Sequence, residues 1–261
     1  MESRTLTTGP IGPETPACVG IPFERVMIPS GGRHLDSYVI AAPSSAFGGP
    51  AILIFHGVGE TISFWVKAQR LLYAHGVSSV VFDYTGSGDR SRPARFGALS
   101  EDAGSAYAFA RKRFPSARLN GLGHSMGCGI LLDAAPGFCP RPEGIIVASA
   151  FSSLRGAAAR ENLLYQALSL VMPDWWNNVR NVSRLDVPLL VVHSDADRVN
   201  PVEDGRAIYA AAHEPKGLVI LHGFTHNALY KQPPEAWWQP VLQFVKEGEQ
   251  GRSPAPIVPR N

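Results

Sequence analysis

Three kinds of side chain that cooperate in hydroxyl chemistry occur in this chain in the order Ser, Asp, His, each just after a short apolar run. Gly123-His124-Ser125-Met126-Gly127 follows the first run, Asp195-Ala196-Asp197 the second, and His222-Gly223-Phe224-Thr225-His226 the third. A serine hydroxyl is a weak nucleophile at neutral pH. It becomes a strong one when an imidazole takes its proton and a carboxylate orients that imidazole. The Gly-x-Ser-x-Gly spacing suits the task sterically, because a serine on a sharp strand-to-helix turn leaves no room for side chains two residues to either side. Glycine at 123 and 127 removes the clash. The helix that begins at the serine also points unpaired N–H groups toward a developing oxyanion.

Ser125 is therefore the candidate nucleophile. His226, in a loop beyond the last apolar run, is the candidate base, with His222 as its rival. Asp197, which precedes Arg198-Val199-Asn200-Pro201, is the candidate acid, with Asp195 as its rival and a turn-capping role as the plainer reading of Asp195. His56, His124 and His193 end strands, where structural hydrogen bonding is their plain role. Cys128, three residues beyond Ser125 in a helical stretch, reads as packing rather than as a second nucleophile.

These residues need a frame. Runs at Glu24–Pro29 and Leu35–Ala41 flank Ser30-Gly31-Gly32-Arg33 and predict a hairpin. Further runs follow at Ala51–Phe55, Ser78–Asp83, Arg118–Gly123, Gly144–Ala150, Val187–His193 and Gly217–His222. Several are apolar at consecutive positions, as strands covered on both faces are. Helical patterns lie between them at Ile62–His75, Leu99–Phe114, Ser125–Ala135, Gly156–Met172, Pro201–His213 and Pro234–Glu247. Strand and helix in alternation predict a doubly wound, mostly parallel α/β sheet. In such sheets ligands bind beyond the carboxyl ends of the strands, which is where Ser125, Asp197 and His226 fall. Residues 1–22 and 248–261, rich in Pro, Gly and small polar residues, read as flexible tails around a domain at 23–247.

Composition removes other classes. Of 261 residues 45 % are apolar and 18 % charged, with net charge +2, so the chain is neither disordered nor a carrier of the basic surface that nucleic acid requires. Its 3 cysteines make no disulfide framework or zinc pair. No dinucleotide fingerprint, phosphate loop or metal-binding His-Glu-x-x-His occurs, so no cofactor and no metal is expected. Neither a secretory leader nor an 18-residue apolar run is evident, and a soluble cytoplasmic protein is the expectation. Oligomeric state has no signature.

Together, His56-Gly57, Asp83-Tyr84-x-Gly86-x-Gly88, Gly123-x-Ser125-x-Gly127, Asp197 with Val199-x-Pro201, and His226 resemble the α/β-hydrolase family. The likeness covers roughly residues 22–247. Within that family it is similar to the small-lid serine hydrolases that include serine-aminopeptidase-like, monoglyceride-lipase-like and depalmitoylase-like enzymes. The resemblance implies an eight-stranded sheet, a Ser125–His226–Asp197 triad, and an oxyanion hole made by the backbone N–H groups of Met126 and Val58. It also implies that residues 151–185 form a small helical lid insert. On that reading the apolar face of the insert, with Met172, Trp175 and Trp176, lines an acyl pocket. Ordinary core packing and a patch that docks on lipid are the other readings of those residues. The expected reaction is hydrolysis of a small-molecule carboxylic ester or thioester with an apolar acyl group. Peptide or amide hydrolysis, with Glu60 or Glu161 near the substrate amine, is the alternative, and a non-catalytic ligand-binding scaffold is another.

Overall fold

The computed structural model describes residues 14–44, 48–87, 96–161, 163–171 and 173–247. Eight strands form one sheet: β1 (Glu24–Ser30), β2 (Arg33–Ile40), β3 (Pro50–Phe55), β4 (Ser78–Phe82), β5 (Arg118–His124), β6 (Gly144–Ala148), β7 (Leu189–Ser194) and β8 (Lys216–Leu221). Their order across the sheet is β1-β2-β4-β3-β5-β6-β7-β8. β2 pairs antiparallel with both neighbours, and every other pairing is parallel. The β1–β2 hairpin turns on Gly31 and Gly32 with φ of 50° and 76°, values that glycine adopts without steric cost.

Nine α-helices are described: α1 (Val66–Ala74), α2 (Phe96–Arg113), α3 (Met126–Ala134), α4 (Leu154–Glu161), α5 (Leu163–Ser169), α6 (Asn178–Val182), α7 (Val202–Ala211), α8 (Ala228–Lys231) and α9 (Glu235–Glu247). Every residue of β3, β4, β6 and β7 is buried. The reason is the period of two along a strand. Leu53 and Phe55 of β3 enter a core with α2 and α3, while Ile52 and Ile54 enter a second core with α1 and α9. Trp237 and Trp238 of α9 belong to that second core, with the Trp238 indole donating to Leu229 O at 2.9 Å.

β5 is poorer in apolar residues than the strands around it because α3 packs close above it. A Cβ on Gly121 would stand 2.9 Å from Leu131 Cδ1 of that helix. Two sequence expectations need correction. Residues 14–22 are not a loose tail: Pro16–Val19 forms a turn of 3-10 helix and Ile21 is buried. Residues 1–13 and 248–261 lie outside the described residues. The single helix expected over 156–172 is instead α4 and α5. The first of these starts earlier because Ser153 Oγ caps it, accepting the Gly156 N–H at 3.0 Å.

Candidate active site

β5 runs into α3 through Ser125, whose φ of 52° and ψ of −115° lie outside the helical and extended regions. Backbone in such a conformation costs on the order of 1–3 kcal/mol and persists only where its surroundings impose it. Here the Ser125 N–H donates to Ala148 O of β6 at 3.1 Å. A Cβ on Gly127 would stand 1.9 Å from Phe55 O, and one on Gly123 would stand 2.7 Å from Cys128 Cα. Both glycines are thus set by close backbone approach. Met126 opens α3, so its N–H is among the first four that have no intrahelical acceptor. Cys128 is fully buried, its thiol donates to Ala148 O at 3.4 Å, and burial pushes that thiol far above the usual range. It packs and stays protonated.

Asp197 follows β7. Its Oδ1 accepts the N–H groups of Val199 and Asn200 at 2.9 and 3.0 Å, which aims Oδ2 at His226 Nδ1, 2.7 Å away. Burial works to raise this carboxyl, but the imidazole and the two backbone donors outweigh it and hold the group below its ordinary value of 3.8. For His226, burial is the largest influence and depresses the imidazole below 6.5; the bond to Asp197 opposes the shift and nearby His124 adds to it. With Nδ1–H donating to Asp197, Nε2 remains free to accept a proton.

Ser125 and His226 face one cavity of about 340 Å³, whose walls also include Val58, Glu60, Phe64, Val199, Tyr230 and Lys231. Among the described residues no hydrogen bond joins Ser125 Oγ to the imidazole. Serine–histidine contacts of this kind commonly tighten only when substrate is bound.

The two rivals pair with each other. Asp195 Oδ2 lies 2.6 Å from His222 Nδ1, and neither residue lines the cavity. Trp175 and Trp176 do not line it either, contrary to the sequence expectation. Trp175 stacks on Phe96 at 4.4 Å, and Trp176 is buried against Gly129 of α3, where a Cβ would come within 2.8 Å of its ring. A glycine gap in the helix thus takes the indole into the core. Met172 and the Glu161 side chain lie outside the described residues. Phe64, Val199, Tyr230 and Lys231 were not anticipated, though a spacing signal exists. Val199 follows Asp197 by two residues, and Tyr230 follows His226 by four.

The family description "serine aminopeptidase, S33" matches residues 50–180, from the start of β3 through Ser125 to α6. The chain belongs to this α/β-hydrolase family. Curated relatives include a lysophosphatidylserine lipase, ABHD12, of Danio rerio, 27 % identical over 70 % of this chain and 55 % of that protein. The human protein ABHD12B is 28 % identical over 71 % of this chain and 58 % of its own length. The chain therefore spans little more than half the length of these relatives. The solved esterase Pf2001 of Pyrococcus furiosus superposes with a TM-score of 0.72 at 16 % identity, over 93 % of this chain and 98 % of that one. Est1E of Butyrivibrio proteoclasticus gives 0.69 at 19 % identity, over 86 % and 98 %. These superpositions establish the fold of this chain: an open, mostly parallel eight-stranded sheet with flanking helices.

Proposed function

We propose that this α/β-hydrolase cleaves a carboxylic ester or thioester with an apolar acyl group, through an acyl-enzyme on Ser125. The observation that carries the reading is the cavity shared by Ser125 and His226, with His226 clamped by Asp197 at 2.7 Å. Ser125 Oγ attacks the acyl carbon while His226 Nε2 takes its proton; Asp197 keeps the imidazole in the right tautomer and stabilises its cation. The N–H groups of Met126 and Val58 receive the oxyanion. As the tetrahedral intermediate collapses, the bond to the leaving oxygen or sulfur breaks and the leaving group takes the proton from His226. Water then repeats the sequence on the acyl-enzyme, releasing the acid and restoring the serine.

The apolar surface supports an apolar acyl group. Among the described residues the exposed large hydrophobics are Met27, three side chains of the cavity wall (Val58, Phe64, Val199) and four of the insert (Leu164, Leu170, Val171, Trp175). Solvent-facing apolar residues so concentrated mark a binding surface. Peptide hydrolysis draws less support, because the Glu60 oxygens are taken by internal donors.

A second reading narrows the substrate to an amphiphilic ester with an anionic head, since Lys231 stands on the cavity wall beside the apolar residues. The lysophosphatidylserine lipase activity of the ABHD12 relative agrees with it. The test is labelling with a fluorophosphonate, followed by turnover of esters of graded chain length in neutral and anionic forms. Attachment at Ser125 and a rate that climbs with chain length are expected. An unlabelled Ser125 would remove the mechanism. Equal rates for all acyl lengths would remove the apolar pocket.

A further inference from the structure

A buried carboxylate and a buried imidazole, neither part of the triad, lie beneath it. Glu60 is 4 % exposed and His124 1 %. Glu60 Oε2 accepts the Gly57 N–H and the Trp65 indole N–H, both at 2.9 Å. Its Oε1 lies 2.8 Å from His124 Nδ1, and His124 Nε2 lies 3.1 Å from the backbone carbonyl oxygen of His226. The carbonyl can only accept, so Nε2 carries a hydrogen. The other ring nitrogen, Nδ1, closes on the Glu60 carboxylate, so both ends of the imidazole are held. A polar chain this deeply buried is costly unless every member is satisfied.

The chain joins the parts of the machinery that are far apart in sequence. Gly57 precedes Val58, the expected oxyanion donor. His124 precedes Ser125. The carbonyl that His124 holds belongs to His226 itself. Resting on the triad reading above, we infer that Glu60 and His124 are positioning residues: the pair fixes the Val58 loop, the nucleophile turn and the backbone of the base in one register. Backbone geometry at those three places decides whether oxyanion, serine and imidazole meet. Misplacement by about 1 Å can cost roughly 10²-fold in rate.

Glu60→Ala removes the acceptor for three donors, whereas Glu60→Gln preserves shape. Its oxygen can accept from Gly57 and Trp65, and its NH2 can donate to His124 Nδ1 while Nε2–H still holds the His226 carbonyl. With kcat referred to sites titrated by fluorophosphonate, Glu60→Ala is expected to lower kcat by about 10²-fold, with KM within threefold. Glu60→Gln is expected to stay within about fivefold of wild type. A purely structural role would lower the melting temperature and the number of titratable sites while leaving kcat per site unchanged. If Glu60→Ala does not fold, His124→Asn keeps a partner for Glu60 and releases the His226 carbonyl together with the ring contacts to Trp65, Tyr230 and His226; a loss of about tenfold in kcat is then expected. Kcat per site within twofold of wild type in the variant that folds overturns the inference, as does Glu60→Gln falling as far as Glu60→Ala. Ser125→Ala run in parallel separates the two failures. Full activity there breaks the triad reading, whereas an inactive Ser125→Ala beside an undiminished Glu60→Ala breaks only the positioning role.

Discussion

The ends of β7 and β8 carry two carboxylate–imidazole pairs that a distance measurement cannot tell apart. Asp195 and His222 stand 2.6 Å apart, Asp197 and His226 2.7 Å. Their surroundings differ in every other respect. The side chains of the first pair are 43 % and 71 % exposed, those of the second 0 % and 10 %. Asp197 has two backbone N–H donors fixing its other oxygen, while Asp195 has the Gly223 N–H. Of these four residues, only His226 lines the cavity that Ser125 faces. An exposed pair gains little because water screens the charges and both side chains lose freedom. A buried pair with its lone pairs satisfied holds one tautomer in one place. The comparison teaches that proximity of acid and base alone does not distinguish the two pairs: what sets Asp197 and His226 apart as the proposed catalytic pair is burial and a neighbouring hydroxyl.

That contrast can be broken by mutation. Ser125→Ala should have the largest effect, up to about 10⁶-fold in kcat by analogy with another serine enzyme; steady-state ester turnover checks it. Asp197→Asn should follow, at about 10⁴-fold, because an amide in place of the carboxylate favours the wrong imidazole tautomer. Comparable losses for Asp195→Asn would invert the assignment of the two pairs.

A pH profile sharpens the contrast further. In the proposed mechanism neutral His226 is the base, so activity should be present above its pKa and lost as pH falls through it. Burial holds that pKa below 6.5 and Asp197 remains ionised across the same range. The acid limb of kcat/KM should therefore have its midpoint below 6.5 and fall about tenfold per pH unit beneath it. A midpoint above 7 would contradict the buried, desolvated setting of the base. The smallest effect belongs to the exposed pair: His222→Ala and Asp195→Asn should each keep kcat/KM within about twofold, as surface pairs contribute little. A tenfold loss in either would give the outer pair a role that its exposure argues against.

Much of the frame was legible because its signals are local. The hairpin at Gly31-Gly32 shows in glycine spacing, and the covered strands show in consecutive apolar residues such as Ile52–Phe55. The nucleophile turn shows because Gly123 and Gly127 record backbone approaches that no side chain could share. The insert was the least legible part. Trp176 reads in sequence as an apolar residue of a lid, yet it fills the space left by Gly129. That placement depends on a helix forty-seven residues away in the chain. Glu60 read as a residue free to meet a substrate amine, because nothing local foretells that Gly57, Trp65 and His124 converge on it.

Sequence alone determined the types and order of the candidate reacting groups, the alternation of strands and helices, and the position of Ser125, Asp197 and His226 beyond strand ends. Such features rest on backbone sterics and on periodicity within a few residues. Tertiary structure decided which aspartate faces which histidine, which aromatic side chains border the cavity, and which buried charges bind its loops together. Those outcomes depend on dielectric environment and on convergence of segments distant along the chain, and neither is encoded at any single position.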